Sequence, residues 1–266
     1  MTNTAELGRW IPAKSVHLQG SGDCRLFCLP YAGAGASVFR NWQDFLPPTI
    51  EVVPVQLPGR ESRWSEPPLE DLPLLAANLA TAIRPFLSQP FALLGHSMGA
   101  SIAFELARVL RRRKLPLPRH LFVSGARAPH VPDREPPVHH LPDVLLWKTI
   151  MRDYGAAEDR TPLNPEMAPV LLPILRTDFR MCESYKPSWE DPFPFPLTVY
   201  GGLHDRRVTY HDLAAWSGYT FGAFRMQLFP GGHFFLTRDR DLFLKVLSGD
   251  LTGLASSKKT VTCAAD

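Results

Sequence analysis

The stretch Phe91-Ala-Leu-Leu-Gly-His-Ser-Met-Gly-Ala100 constrains this chain more than any other. Phe91 to Leu94 is a short apolar run that reads as a buried strand. Gly95-His96-Ser97-Met98-Gly99 follows as a G-x-S-x-G pattern, and Ala100 to Leu110 continues with helical periodicity. Strand, sharp turn, serine and helix in that order describe a nucleophile elbow. The glycines of the elbow have a steric purpose. Cβ atoms at Gly95 and Gly99 would collide with the neighbouring strand and helix. Ser97 must take a strained backbone so that its hydroxyl stands clear of the sheet, and the His96 ring must point away from it.

The rest of the chain is long enough to build such a sheet. Its 266 residues, 45% hydrophobic and 21% charged, suit one large α/β domain or two small ones. A net charge of +3 is too small to argue for nucleic acid or a membrane surface. No apolar run is long enough to span a bilayer, and the N-terminus lacks a signal-peptide pattern, so a cytoplasmic protein is expected. Cys24, Cys28, Cys182 and Cys263 are scattered, without metal-ligand spacing, and read as free thiols. The 27 prolines punctuate loops and shorten elements.

Residues 1–20 are weakly patterned and expected to be loose, although Trp10-Ile11-Pro12 is apolar enough to pack on the body. Strands are expected at 24–29, 50–56, 91–94, 120–124, 196–200 and 224–229, alternating with helices near 38–46, 72–87, 100–110, 209–217 and 238–248. The basic run Arg111-Arg-Arg-Lys114 reads as the solvated last turn of a helix, where cations complement the dipole. Between about 130 and 187 the alternation breaks into proline-jointed helical patches near 141–154 and 166–184, an all-helical insertion between sheet strands. Residues 252–266 read as a disordered tail, leaving 21–251 as the folded domain. Strands alternating with helices imply an α/β fold with a mostly parallel central sheet, with functional groups at the strands' carboxyl ends.

An acyl-transfer serine needs a base, an orienting acid and an oxyanion site. In the α/β-hydrolase order these arrive as Ser, then Asp or Glu, then His. Asp205 follows the strand at 196–200, and His233 follows the strand at 224–229 in Pro230-Gly-Gly-His233. Both stand at strand ends in the required order, so Ser97, His233 and Asp205 are expected to be nucleophile, general base and orienting acid. Asp191 and Asp212 do not follow strands, and the other histidines lack this setting. The oxyanion donors should be the Met98 N–H and one from the small-residue loop Pro30-Tyr-Ala-Gly-Ala-Gly35, chiefly Ala32, with Tyr31 and Gly33 as near alternatives. That loop lacks the pattern of a nucleotide-phosphate cradle.

These residues, together with Gln56-Leu-Pro-Gly-Arg-Glu61, His120-Leu-Phe-Val-Ser-Gly-Ala-Arg-Ala-Pro129, Leu172-Pro-Ile-Leu-Arg-Thr-Asp-Phe179, Glu183-Ser-Tyr185, Tyr200-Gly-Gly-Leu-His-Asp205 and Phe229-Pro-Gly-Gly-His-Phe-Phe-Leu236, resemble the type II thioesterases of polyketide and nonribosomal peptide synthesis. The vertebrate medium-chain fatty-acyl thioesterase is similar. The resemblance runs from about residue 24 to 247. It implies an α/β-hydrolase fold whose triad is Ser97, Asp205 and His233, whose oxyanion donors are Met98 and Ala32, and whose lid is the helical insertion. One departure is visible: Arg206 stands where the family often has proline after the acid.

The resemblance further implies a monomeric hydrolase that removes stalled or wrong acyl groups from the phosphopantetheine arm of acyl or peptidyl carrier proteins. It needs no metal or other cofactor, the arm belonging to the substrate. Carrier proteins are commonly acidic, which makes Arg60, Arg63 and the Arg127/Arg134 region candidates for docking one. A generic carboxylesterase or lipase, a medium-chain fatty-acid releasing enzyme and an acyltransferase would share the triad.

Overall fold

The computed structural model describes residues 9–12, 22–155 and 165–255. Six parallel strands, β1 (Cys24–Leu29), β2 (Ile50–Pro54), β3 (Phe91–His96), β4 (His120–Ser124), β5 (Leu197–Gly202) and β6 (Phe224–Phe229), form a sheet in the order β2-β1-β3-β4-β5-β6. The chain steps outward from β1 to β2 and returns to place β3 on the other side of β1. The carboxyl ends of β1 and β3 thus flank the point where the winding reverses, and the loops leaving them open a crevice there.

Strict side-chain alternation divides the apolar residues between the two faces of the sheet. Phe27, Leu29, Phe91, Leu93, Leu121, Val123, Leu197 and Val199 pack in one core with helix α1 (Leu72–Ile83) and helix α2 (Met98–Arg112). Leu26, Cys28, Ile50, Val52, Ala92, Leu94, Phe122 and Tyr200 pack in the other, with Trp42 and the C-terminal helix. Near-continuous burial explains why these strands read as apolar runs.

Among the described residues, two α-helices lie between β4 and β5: α3 (Asp143–Asp153) and α4 (Ala168–Ser184). They enclose a third, smaller cluster of Val138, Leu146, Ile150, Leu172 and Leu175, and Ala32 of the β1 exit loop packs against it. After β5 come α5 (Tyr210–Ala214), then, beyond β6, α6 (Phe235–Arg238) and α7 (Arg240–Ala255). Trp10 and Ile11 are buried, and Trp10 lies under the Arg63 guanidinium, 4.3 Å from the ring centroid.

Several local expectations are corrected. No helix spans 38–46. Two short 3₁₀ turns, Ala36–Phe39 and Trp42–Asp44, are separated by Asn41, whose φ of 63° no continuous helix can accommodate. The last helix runs on to Ala255, past the position where a tail was expected to begin; residues 256–266, with Cys263, lie outside the described residues. The basic end of α2 is not simply solvated. Arg108, Arg111 and Arg112 all pair with Glu190, and Arg108 and Arg112 also pair with Glu105, because the segment leaving α4 packs back onto α2.

Two consequences are measurable. A Cβ at Gly99 would stand 2.1 Å from the Leu29 carbonyl oxygen, and one at Gly95 would stand 2.0 Å from the Gly99 carbonyl oxygen. Backbone on both sides leaves nothing to yield, so Gly99→Ala is expected to cost about 3 kcal/mol or more, read as lost soluble yield and a lowered melting temperature. His120 is stacked on Phe122, with Nε2 2.8 Å from Thr198 Oγ1, and burial pushes its pKa down to about 4. The folded state therefore prefers neutral His120. Its contribution is fully present above about pH 6.5 and is lost as the pH falls toward 4, by up to about 3 kcal/mol. Denaturant titrations of His120→Gln across that range should show a flatter pH dependence than the parent.

Candidate active site

Ser97 caps the elbow with φ 54° and ψ −118°, a strained conformation for a residue with a Cβ. The Ser97 N–H donates to the Ser124 carbonyl at 2.7 Å, and the Ser97 carbonyl accepts from Ala100, so the strain is held by the flanking strand and helix. Two later strand ends bring the partners. His233 Nε2 lies 2.9 Å from Ser97 Oγ, and His233 Nδ1 lies 2.7 Å from Asp205 Oδ2. The imidazole is 3% exposed and the Asp205 side chain 1%, so water competes little for either contact. The second Asp205 oxygen accepts the N–H groups of Arg207 at 2.9 Å and Val208 at 3.2 Å, which locks the carboxylate plane.

Gly202 lets the acid loop and the histidine loop touch: a Cβ there would sit 2.1 Å from the Gly232 carbonyl oxygen. The Gly231 carbonyl accepts the His204 N–H at 2.9 Å, which ties the two loops together directly. Gly231 itself has φ 95°, so the turn that presents His233 needs glycine.

Met98 is the first residue of α2, and Ala32 lies in the turn leaving β1. Parallel register sets Leu29 opposite Gly95, which places these two loops side by side. Neither the Met98 nor the Ala32 N–H has a hydrogen-bond acceptor among the described residues. His96 points away from Ser97, as expected: its Nδ1 is 2.9 Å from Ser124 Oγ. Burial, followed by the proximity of His233, holds its pKa well below the usual imidazole value. A neutral His96, 5.1 Å from His233 between ring centroids, therefore sets no second positive charge beside the base.

The helical insertion contributes residues that the sequence alone did not single out. Tyr154, just past α3, is half-buried, with its ring 4.8 Å from that of His233, edge to face. Asp178 of α4 is 1% exposed and pairs with Arg60 through both oxygens, at 2.6 and 2.9 Å. A usable signal existed: Asp178 falls in the buried stripe Ile174, Leu175, Asp178, Met181, where an unpaired carboxylate would be costly. The expected docking arginines are otherwise engaged. Arg60 is buried on Asp178, and Arg63 is held by Glu66 and the Gln56 carbonyl. Arg127 pairs with Asp133 and Arg134 with Asp212. Each meets a carboxylate of this chain; Arg60 and Arg63 are buried, whereas Arg127 and Arg134 keep 30% and 55% of their side chains exposed.

Among the described residues no group of three or more His, Cys, Asp or Glu side chains could hold a metal ion, and no helix is long and apolar enough to cross a membrane.

The fold is that of the α/β-hydrolase class, and within it Ser97, His233 and Asp205 stand in one hydrogen-bonded line. A family model, the thioesterase domain, matches residues 24–249. The gramicidin S biosynthesis protein GrsT of Aneurinibacillus migulanus is 43% identical over 236 residues, 89% of this chain and 91% of that protein. The RedJ thioesterase of the prodiginine pathway in Streptomyces coelicolor superposes with a TM-score of 0.81 at 42% identity, covering 87% of this chain and 91% of RedJ. BorB, the type II thioesterase of the borrelidin cluster, gives 0.79 at 35% identity, covering 88% and 94%. The chain belongs to the thioesterase family, and it is a hydrolase that acts on thioesters.

Asp205→Asn should leave the fold intact and lower kcat by about 10⁴-fold, because the amide favours the wrong His233 tautomer. Steady-state thioester hydrolysis alongside a melting curve checks both halves of that expectation.

Proposed function

We propose that this thioesterase clears acyl groups from the phosphopantetheine arms of acyl or peptidyl carrier proteins in a polyketide or nonribosomal peptide pathway. The observation that carries the reading is the hydrogen-bonded line Ser97–His233–Asp205, with Tyr154 of the helical insertion set against the imidazole, in a chain similar to BorB and GrsT. Ser97 Oγ attacks the thioester carbonyl while His233 Nε2 takes its proton. Asp205 holds the Nδ1–H tautomer and stabilises the imidazolium. The Met98 and Ala32 N–H groups receive the oxyanion, each such donor contributing about 3 kcal/mol. The imidazolium returns its proton to the departing pantetheine sulfur, an easy leaving group because thiols of this type have a pKa of about 8.5. Water activated by His233 then attacks the acyl-Ser97 ester, releasing the carboxylic acid and restoring the serine.

No metal or cofactor is needed in this scheme, since the arm arrives with the substrate. The enzyme acts as a monomer in the cytoplasm, a reducing compartment that suits the free thiols Cys24, Cys28 and Cys182. Tyr154 and the cluster of Val138, Leu146, Ile150, Leu172 and Leu175 form the apolar cover over the triad, suited to an acyl chain.

The test is incubation with carrier proteins loaded with a series of acyl groups, followed by intact-protein mass spectrometry. Loss of the acyl mass from the carriers, abolished in Ser97→Ala, is the expected result. Cleavage of simple oxygen esters with every loaded carrier left intact would assign the chain to the generic esterases instead.

A further inference from the structure

The small-residue loop after β1 is held by the insertion, not only by the sheet. The Ala34 N–H donates to the Tyr31 carbonyl at 3.1 Å, closing a four-residue turn, and Gly33 has φ +78° at its third position. Those features define a type II turn with Ala32 at the second position. Its central peptide, between Ala32 and Gly33, presents its N–H to Asp178 Oδ2 at 2.8 Å. That same oxygen accepts Arg60 Nη1 at 2.6 Å, while Oδ1 accepts Nη2 at 2.9 Å. The far side of Gly33 is closed by helix α4 as well: a Cβ there would stand 2.8 Å from Leu175 Cδ2. Further along the loop, the Ala36 N–H donates to Gln56 Oε1 at 3.1 Å, and Gln56 Nε2 donates to the Arg60 carbonyl at 2.9 Å.

We propose that Asp178 is a positioning residue for the oxyanion site: held by Arg60, it fixes the turn that aims the Ala32 N–H, so the site is complete only when helix α4 is seated. This rests on the assignment of Met98 and Ala32 as oxyanion donors. Without an acceptor for the Gly33 N–H, the central peptide of a type II turn is free to flip toward the type I geometry, and glycine opposes that flip less than any other residue. The same loss unties the turn from helix α4, so the adjoining Tyr31–Ala32 peptide, which carries the Ala32 N–H, would no longer be held in one direction. A catalytic donor is worth most when its orientation is already set before charge develops.

Three variants separate positioning from folding. The double variant Arg60→Met/Asp178→Leu removes both buried charges together, a replacement that proteins commonly tolerate, and it removes the Gly33 acceptor. Asp178→Asn keeps an acceptor oxygen but weakens the ion pair. Arg60→Gln keeps the carboxylate on Gly33. Turnover of decanoyl-N-acetylcysteamine is measured, with inhibition by decylboronic acid, whose tetrahedral adduct on Ser97 fills the oxyanion site, and by decanoate as a ground-state control.

The double variant is expected to lose about 10- to 100-fold in kcat with KM changed less than about threefold, a fraction of what deleting an oxyanion donor costs. Its boronate affinity should fall by the same factor, with decanoate inhibition unchanged. Asp178→Asn should rescue most of both losses even if it melts earlier. Parent-like kcat and boronate affinity in the folded double variant would overturn the proposal, as would a kcat loss without a boronate loss. If the double variant does not fold, Arg60→Gln decides. Retention of most of its kcat and boronate affinity supports the tether, whereas equal impairment of Arg60→Gln and Asp178→Asn assigns the effect to the ion pair alone. Boronate that fails to inhibit the parent enzyme, or turnover surviving in Ser97→Ala, would instead defeat the underlying oxyanion and triad assignment.

Discussion

The tight approach of two backbones at Gly99 and Leu29 governs this structure. Helix α2 must start directly against the end of β1, because the elbow leaves no residues in which to turn away. That contact sets the depth of Ser97, its strained φ of 54°, and the closeness of the β1 exit loop to the first N–H of the helix. Nothing but hydrogen on Cα fits at positions 95 and 99, so the nucleophile's geometry is enforced by exclusion rather than by attraction. The sheet supplies the counterforce. Two apolar clusters, one on each face, bury β1 and β3 and keep the strained turn from relaxing.

Everything else about the site is brought to that fixed point from later in the chain. Asp205 and His233 arrive on separate loops, and the His204 N–H bond to the Gly231 carbonyl joins those loops directly. The insertion arrives last and is held unevenly. Helix α4 is tied by the buried pair Asp178–Arg60 and by two part-buried bonds, from the Val138 N–H to Glu183 at 2.7 Å and from Tyr185, just past its end, to Glu105 at 2.6 Å. Helix α3 is tied by weaker links. Asp143 pairs with Arg176 from a mostly exposed position, and Asp153 meets Arg207 at 3.6 Å. Breaking one partner of a buried pair costs several kcal/mol, whereas an exposed pair contributes at most about 1 kcal/mol. The insertion therefore has a fixed half against the oxyanion loop and a looser half, ending in Tyr154, against the imidazole.

Which parts were legible in the sequence follows from how local their causes are. The elbow, the strand alternation and the glycines before His233 are consequences of neighbours within a few residues, and they could be read directly. The triad was legible one level up, because strand order dictates where later strand ends must fall. The 3₁₀ turns at 36–44 were not legible, since apolar spacing there matches a helix and only the left-handed Asn41 breaks it. The pairing of Arg60, Arg63, Arg127 and Arg134 with carboxylates of this chain was not legible for a different reason. A charge in sequence looks free until its partner is known, and Asp178 lies 118 residues from Arg60 and Asp212 78 residues from Arg134.

The same distance explains why Asp178 was overlooked, and why it matters. A carboxylate in the buried stripe of a helix needs a cation and donors, or the helix cannot pack. Here the cation comes from the loop after β2 and one donor comes from the loop after β1. One buried charge thus joins three segments that share no local pattern, and one of its bonds goes to the turn that contains Ala32. An apolar residue at 178 would fill the helix stripe equally well, but it would leave the Gly33 N–H without its acceptor. The cost of burying Asp178 is offset by its bonds to Arg60 and to the loop that carries Ala32, so the packing of helix α4 and the hold on that loop share one carboxylate.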